Sequence, residues 1–142
     1  MYQGTSAVSQ DAKGRILIPA RHRDALLLQS EGRITLTRSI DGCLLLYPRP
    51  VWEEQRQKIV AWPFNLRHMR RLLLGSALDV EMDSTGRILI SPELRKAAEL
   101  KREVLLLGMG SHFEIWDADK HAESEKEALA TSIHDGLHDF SF

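Results

Sequence analysis

The run Asp11-Ala-Lys-Gly-Arg-Ile-Leu-Ile18 returns as Asp83-Ser-Thr-Gly-Arg-Ile-Leu-Ile90, identical at six of eight positions and displaced by 72 residues. At the same offset Arg23 matches Arg95 and Ala25 matches Ala97. Further on, Ile34-Thr-Leu-Thr37 resembles Val104-Leu-Leu-Leu107, and Leu44-Leu-Leu-Tyr47 resembles Phe113-Glu-Ile-Trp116. The order of elements is therefore the same in both halves. Two copies are too few for a solenoid, so the duplication points to a pseudo-twofold pair sharing one core. A chain of 142 residues suits that size.

Each copy can be read locally. Residues 3–9 and 77–82 are candidate first strands. Asp11-x-x-Gly14 and Asp83-x-x-Gly86 put Asp first and Gly fourth in a type I turn, where the carboxylate bonds backbone N–H groups and glycine tolerates positive φ. Residues 15–18 and 87–90 follow as short strands at the far side of a hairpin tip. Period two puts Ile16 and Ile18 on one face, Arg15 and Leu17 on the other. A helix comes next: Pro19 precedes one over 20–28, and Ser91 caps a second with Pro92 at its first position. A second hairpin follows each helix, turning near 40–42 and 108–111.

Between the copies, residues 51–61 form a helix with Trp52 and Ile59 a heptad apart. Asn65 is placed to cap another helix ending before Gly75, with Leu66, Met69, Leu72 and Leu73 as its buried stripe. On another side of that helix stand Arg67, Arg70 and Arg71. A charged helix over 118–130 and a polar tail close the chain.

Net charge is −1, yet its distribution is uneven. Residues 1–71 hold 12 Lys/Arg against 6 Asp/Glu, and residues 72–142 hold 7 against 14. Such asymmetry points to one region that meets an anion. The positive charge is focused, since Lys13, Arg15, Arg21 and Arg23 fall within eleven residues. An arginine at a tight turn offers forked donors to a phosphate, or to O6 and N7 of guanine. The other reading of Arg15 and Arg87 is that they pair with Asp11 and Asp83 and stiffen the turn. Because Lys13 has the neutral counterpart Thr85, the first loop is expected to bind more strongly.

Other features carry less. Cys43 lies in an apolar run and reads as a small core residue, and one cysteine forms no internal disulfide. Trp52, Trp62 and Trp116 suit core or interface packing. His134 and His138 are spaced as two metal ligands, but the terminal setting and Gly136 favour a frayed tail, so no metal and no cofactor are expected. No phosphate loop, nucleophile elbow or His-Glu-x-x-His helix is present, and no catalysis is expected. No apolar run approaches the ~20 residues of a membrane span, and the first residues lack the regions of a signal peptide. A cytoplasmic protein without membrane or small-molecule partners is expected.

The run from Asp11 to Pro19, with Arg23 after it, resembles the AbrB-type swapped-hairpin DNA-binding motif. Two such motifs in a chain of this length, with Leu44-Leu-Leu-Tyr-Pro48, Arg70-Arg-Leu-Leu-Leu-Gly75, Met82-Asp83 and Phe113-Glu-Ile-Trp116, resemble the MraZ family over roughly residues 1–120. The resemblance implies an α+β fold in which two AbrB-like units interleave into one small β-barrel-like domain with flanking helices. The units span 5–51 and 77–120, joined by helices over 52–76 and followed by a helix and tail over 121–142. It also implies a homo-oligomeric ring, associated with the nucleoid, that binds short direct repeats of double-stranded promoter DNA and regulates the division and cell-wall gene cluster. Its Asp-x-x-x-Arg signature maps to Asp11/Arg15 and Asp83/Arg87. Arg15, Arg87 and Lys13 become the DNA contacts, with Arg21 and Arg23 on phosphates, while Asp11, Gly14, Asp83 and Gly86 shape the loops. The rival reading is a protein-interaction scaffold whose basic patches meet an acidic partner.

Overall fold

A computed structural model describes residues 1–131, 140 and 141. The first half runs β1 (Tyr2–Ser9), β2 (Arg15–Leu17), α1 (Ala20–Ser30), β3 (Arg33–Arg38) and β4 (Leu44–Pro48). Then come α2 (Arg49–Val60), a 3-10 turn (Phe64–Leu66) and α3 (Arg67–Gly75). The second half repeats the first as β5 (Leu78–Glu81), β6 (Arg87–Leu89), α4 (Pro92–Ala97), β7 (Glu103–Gly110) and β8 (Phe113–Asp117), before α5 (Ala118–Ala130). The fold is α+β, with entirely antiparallel pairing.

The pairing exchanges strands between the halves. β1 pairs β7, β5 pairs β3, and β2 pairs β6, so the leading strands of each half bond to the other half. The six-stranded sheet runs β1-β7-β8-β4-β3-β5, an order that reads the same when the halves are interchanged. β2 and β6 form a separate two-stranded ribbon. This differs from two expectations. No ladder joins the strands flanking either Asp-x-x-Gly turn, so the turns do not tip local hairpins. And β1 and β5 end an open sheet rather than closing a barrel.

Ile16, Ile18, Ile88 and Ile90 point from the ribbon onto a core with Leu26, Leu94, Leu36, Leu46, Leu106, Phe113 and Ile115, all at most 4% exposed. Each such side chain contributes roughly 1.5–3 kcal/mol by leaving water. Cross-unit backbone bonds complete the joint: Ile18 N donates to Gly86 O and Ile90 N to Gly14 O, both at 2.8 Å.

Local chemistry explains the helices. Ser91 Oγ accepts from Leu94 N at 3.3 Å with Pro92 at the first position, as expected. Trp52 and Ile59 are the buried residues of α2. Two expectations fail. Asn65 sits inside the 3-10 turn that follows Pro63, and α3 starts after Leu66 with no side-chain cap. The α3 stripe is only half-buried at Met69, Leu72 and Leu73, and Leu66 is exposed, because beyond the turn that precedes it this helix packs mainly on β3 and α2. Cys43 is buried, and burial foremost pushes its thiol up to about 12.

Candidate nucleic-acid interface

The two turns are built alike. Asp11 Oδ1 accepts from the amides of Lys13 and Arg15, each at 2.9 Å, and Gly14 N closes the turn onto Asp11 O at 3.0 Å. Asp83 Oδ1 accepts from the amides of Thr85 and Arg87 at 2.9 Å and from the Thr85 hydroxyl at 2.7 Å, with Gly86 N on Asp83 O at 3.0 Å. Hydrogen bonding to the ionised form holds both carboxyls down at about 2, led by the Arg15 amide for Asp11 and by the Thr85 hydroxyl for Asp83. The closing glycines adopt φ of +90° and +88°, a region that side chains disfavour.

Each turn delivers its chain into the ribbon. Opposed residues are Arg15 and Leu89, Ile16 and Ile88, Leu17 and Arg87. Directly opposed residues share a face, so the central isoleucines point inward and the other four point out. The outward face therefore carries two arginines on one diagonal and two leucines on the other. Leu17 and Leu89 are 45% and 53% exposed, and the side chains of Arg15 and Arg87 are 35% and 39% exposed.

The aspartate partners are real as well. Arg15 donates through Nε to Asp11 Oδ2 at 2.7 Å, and Arg87 through Nε to Thr85 Oγ1 at 3.0 Å, with Asp83 Oδ2 at 3.4 Å. The pairing reading is thus seen in the structure, and it does not use the whole of either guanidinium. Nε steadies the side chain on its own turn, while the Nη nitrogens make no hydrogen bond among the described residues.

The remaining basic residues divide. Lys13 is exposed at the first turn. Arg21 is exposed and donates to Ser6 Oγ and His22 Nε2. Arg23 is half-buried, donating through Nε to Ile18 O at 2.7 Å and packing over Gly86. Its repeat mate Arg95 packs over Gly14 in the same way. A cleft of about 620 Å³ opens beside the first turn, lined by Ser9 to Ala12 together with Arg95, Lys101 and Arg102. The last two escaped the sequence reading, since only the exchange of strands brings them to Gln10.

Elsewhere, Arg67 and Arg70 donate to the carbonyls of Phe64 and Val60, and Arg71 lies against His68. Trp52 and Trp116 are buried, and Trp62 is half-buried. Among the described residues no group of three or more His, Cys, Asp and Glu could hold a metal ion, and no helix is long and apolar enough to cross a membrane. His134 and His138 lie outside the described residues.

This is a duplicated α+β domain of strand-exchanged halves that turns an arginine-bearing ribbon outward. Comparison with known proteins narrows this. The family model described as "MraZ protein, putative antitoxin-like" matches residues 1–75 and again 73–138, and the chain belongs to the MraZ family. Among similar proteins is one of Janthinobacterium sp. (strain Marseille), 63% identical over 142 residues and over the whole of both chains. Proteins of Herminiimonas arsenicoxydans and Bordetella pertussis are 62% and 59% identical, again over the full length of each. All three are named transcriptional regulator MraZ. The family is one of regulators, not of enzymes.

Proposed function

We propose that this chain is a transcriptional regulator that binds promoter DNA sequence-specifically through the outward ribbon face and its two turns. The observation that carries the reading is the presence of Arg15 and Arg87 on one exposed face, each with its Nη edge unengaged. A two-stranded ribbon fits the major groove, where a guanidinium bonds guanine bidentately. Arg15, Lys13 and Arg87 are the leading contacts. Arg21 and Arg23 add charge toward phosphates through the donors their internal bonds leave over, and Asp11, Gly14, Asp83 and Gly86 shape the turns.

In this reading the halves, residues 5–51 and 77–120, are AbrB-like swapped-hairpin units. The exchange of leading strands and the palindromic sheet order support it. One ribbon gives little area, and linked copies raise affinity through effective concentration. A homo-oligomeric ring, spacing its ribbons about one DNA turn apart, would read direct repeats near ~10 base pairs or a multiple. The targets are promoters of the division and cell-wall gene cluster, and the protein acts in the cytoplasm, at the nucleoid.

The test is a gel-shift titration of promoter and scrambled fragments with the unmodified protein and Arg15→Ala. The expected result is promoter preference, a steep salt slope, and loss of the preference in Arg15→Ala with the fold intact. Equal binding to both fragments, or unchanged binding by Arg15→Ala, overturns the assignment and favours a scaffold that meets an acidic protein.

A further inference from the structure

The pseudo-twofold breaks beside the turns. Gln10 N donates to Arg102 O at 2.8 Å, and the equivalent Met82 N donates to Gly32 O at 2.8 Å. The segment reaching the second turn is only Glu31-Gly32, between α1 and β3. The segment reaching the first turn is longer, residues 98–102 between α4 and β7, and it carries Lys101 and Arg102. Both connections carry a glutamate at positive φ, Glu31 and Glu99, and the longer one adds Lys101 and Arg102 beside the first turn.

The arginines over the turn glycines differ too. Arg23 Nε is satisfied by Ile18 O. Arg95 Nε is buried with no partner, and the Arg95 guanidinium makes no hydrogen bond or ion pair among the described residues. Lys101 is held by the buried Asp117, with Nζ to Oδ2 at 2.9 Å, whereas Arg102 is exposed without a side-chain partner among the described residues. Asp11, the acidic residue lining the cleft, is engaged by Arg15. The cleft therefore presents unneutralised guanidinium groups in an open space of about 620 Å³. Such a setting favours an oxyanion with several acceptor oxygens.

We propose that the cleft between the first turn and residues 98–102, lined by Arg95, Lys101 and Arg102, seats a backbone phosphate of the DNA whose bases meet Arg15. This rests on the DNA-binding reading above and deepens it. The first turn of each subunit then becomes the stronger grip, with a cation supplied by the other half of the chain. The contact is to phosphate, so it adds affinity and salt dependence without sequence preference.

The experiment compares the full-length protein with Arg102→Gln, Arg102→Lys and Arg15→Ala by fluorescence anisotropy. Arg38→Gln, at the opposite end of β3 from the turns, is the control for loss of surface charge. Promoter and scrambled fragments are titrated over a salt series. Arg102→Gln is expected to weaken both fragments by the same factor, roughly eightfold at ~0.1 M salt, and to lower the salt slope by about 0.9. Arg102→Lys keeps most of the binding, and Arg38→Gln changes nothing. If Arg102→Gln binds like the unmodified protein while Arg15→Ala loses promoter preference, the cleft assignment is wrong and the regulator reading stands. If Arg15→Ala is also without effect, the regulator reading itself falls. A third arm titrates labelled protein with inorganic phosphate and follows the Gln10 and Arg102 amides. Saturable shifts there, with DNA binding unchanged in Arg102→Gln, assign the cleft to a free anion and overturn the DNA contact.

Discussion

Arg95 lies so closely over Gly14 that a β-carbon on the glycine would stand 2.6 Å from its Nε and 2.7 Å from Ile90 O. Arg23 covers Gly86 in the same manner. Each turn glycine thus serves two needs at once, a positive φ and room for an arginine of the other half. Gly14→Ala adds left-handed strain of about 1–2 kcal/mol and a clash of about 1–3 kcal/mol. A loss of roughly 2–5 kcal/mol in urea denaturation is expected, the sum of those two ranges. A loss below about 1 kcal/mol would mean that the arginine yields freely and that the close fit is not structural.

The aspartates of the turns are predicted to titrate late. Both carboxyls sit at about 2 in the folded protein, against an ordinary value of 3.8. The folded state binds the proton more weakly than the unfolded chain, so their contribution is complete above about pH 4 and fades as pH falls toward 2. Carboxyl carbon resonances of Asp11 and Asp83 followed by NMR should show midpoints near 2. Midpoints near 4 would show that the amides of Lys13, Arg15, Thr85 and Arg87 do not hold them.

Much of this was legible in the residues. The 72-residue offset, the turn chemistry, the inward isoleucines and the Ser91 cap each rest on local rules that tertiary context did not override. Strand exchange was not legible from period two, which assigns faces and says nothing about partners. The same gap hid the cleft. Arg102 reaches Gln10 across 92 residues, and only the exchange brings them within 2.8 Å. Asn65 misled because Pro63 opens a 3-10 turn that takes the asparagine inside. The α3 stripe misled differently: helical spacing identifies an apolar face but not whether the same chain covers it.

The ribbon's two faces make opposite predictions for neighbouring residues. Ile16 is 1% exposed and Leu17 is 45% exposed. Ile16→Ala leaves a cavity in the shared core and should cost roughly 2–5 kcal/mol. Leu17→Ser should cost no more than about 1.5 kcal/mol, since its side chain is already about half exposed. Parallel denaturation curves check both. Similar losses for the two would mean that the ribbon is sandwiched rather than facing outward.

Part of the apolar surface that the chain leaves uncovered lies together in sequence, around the end of α2 and the 3-10 turn. Val60 is 57% exposed, Phe64 73% and Leu66 37%, and the Arg67 guanidinium rests 4.2 Å over the Phe64 ring. In the ring reading this surface meets a neighbouring subunit, where aromatic and arginine side chains are common anchors. Phe64→Asp combined with Leu66→Asp places two charges there without touching the buried core. Sedimentation velocity should show the assembly falling to smaller species, while the monomer's circular dichroism is retained. Promoter affinity should fall with it by about 10²–10⁴, the avidity that linked copies supply. An unchanged sedimentation coefficient would move the subunit contact to another face, and an unchanged affinity with smaller species would show that one ribbon pair suffices for binding.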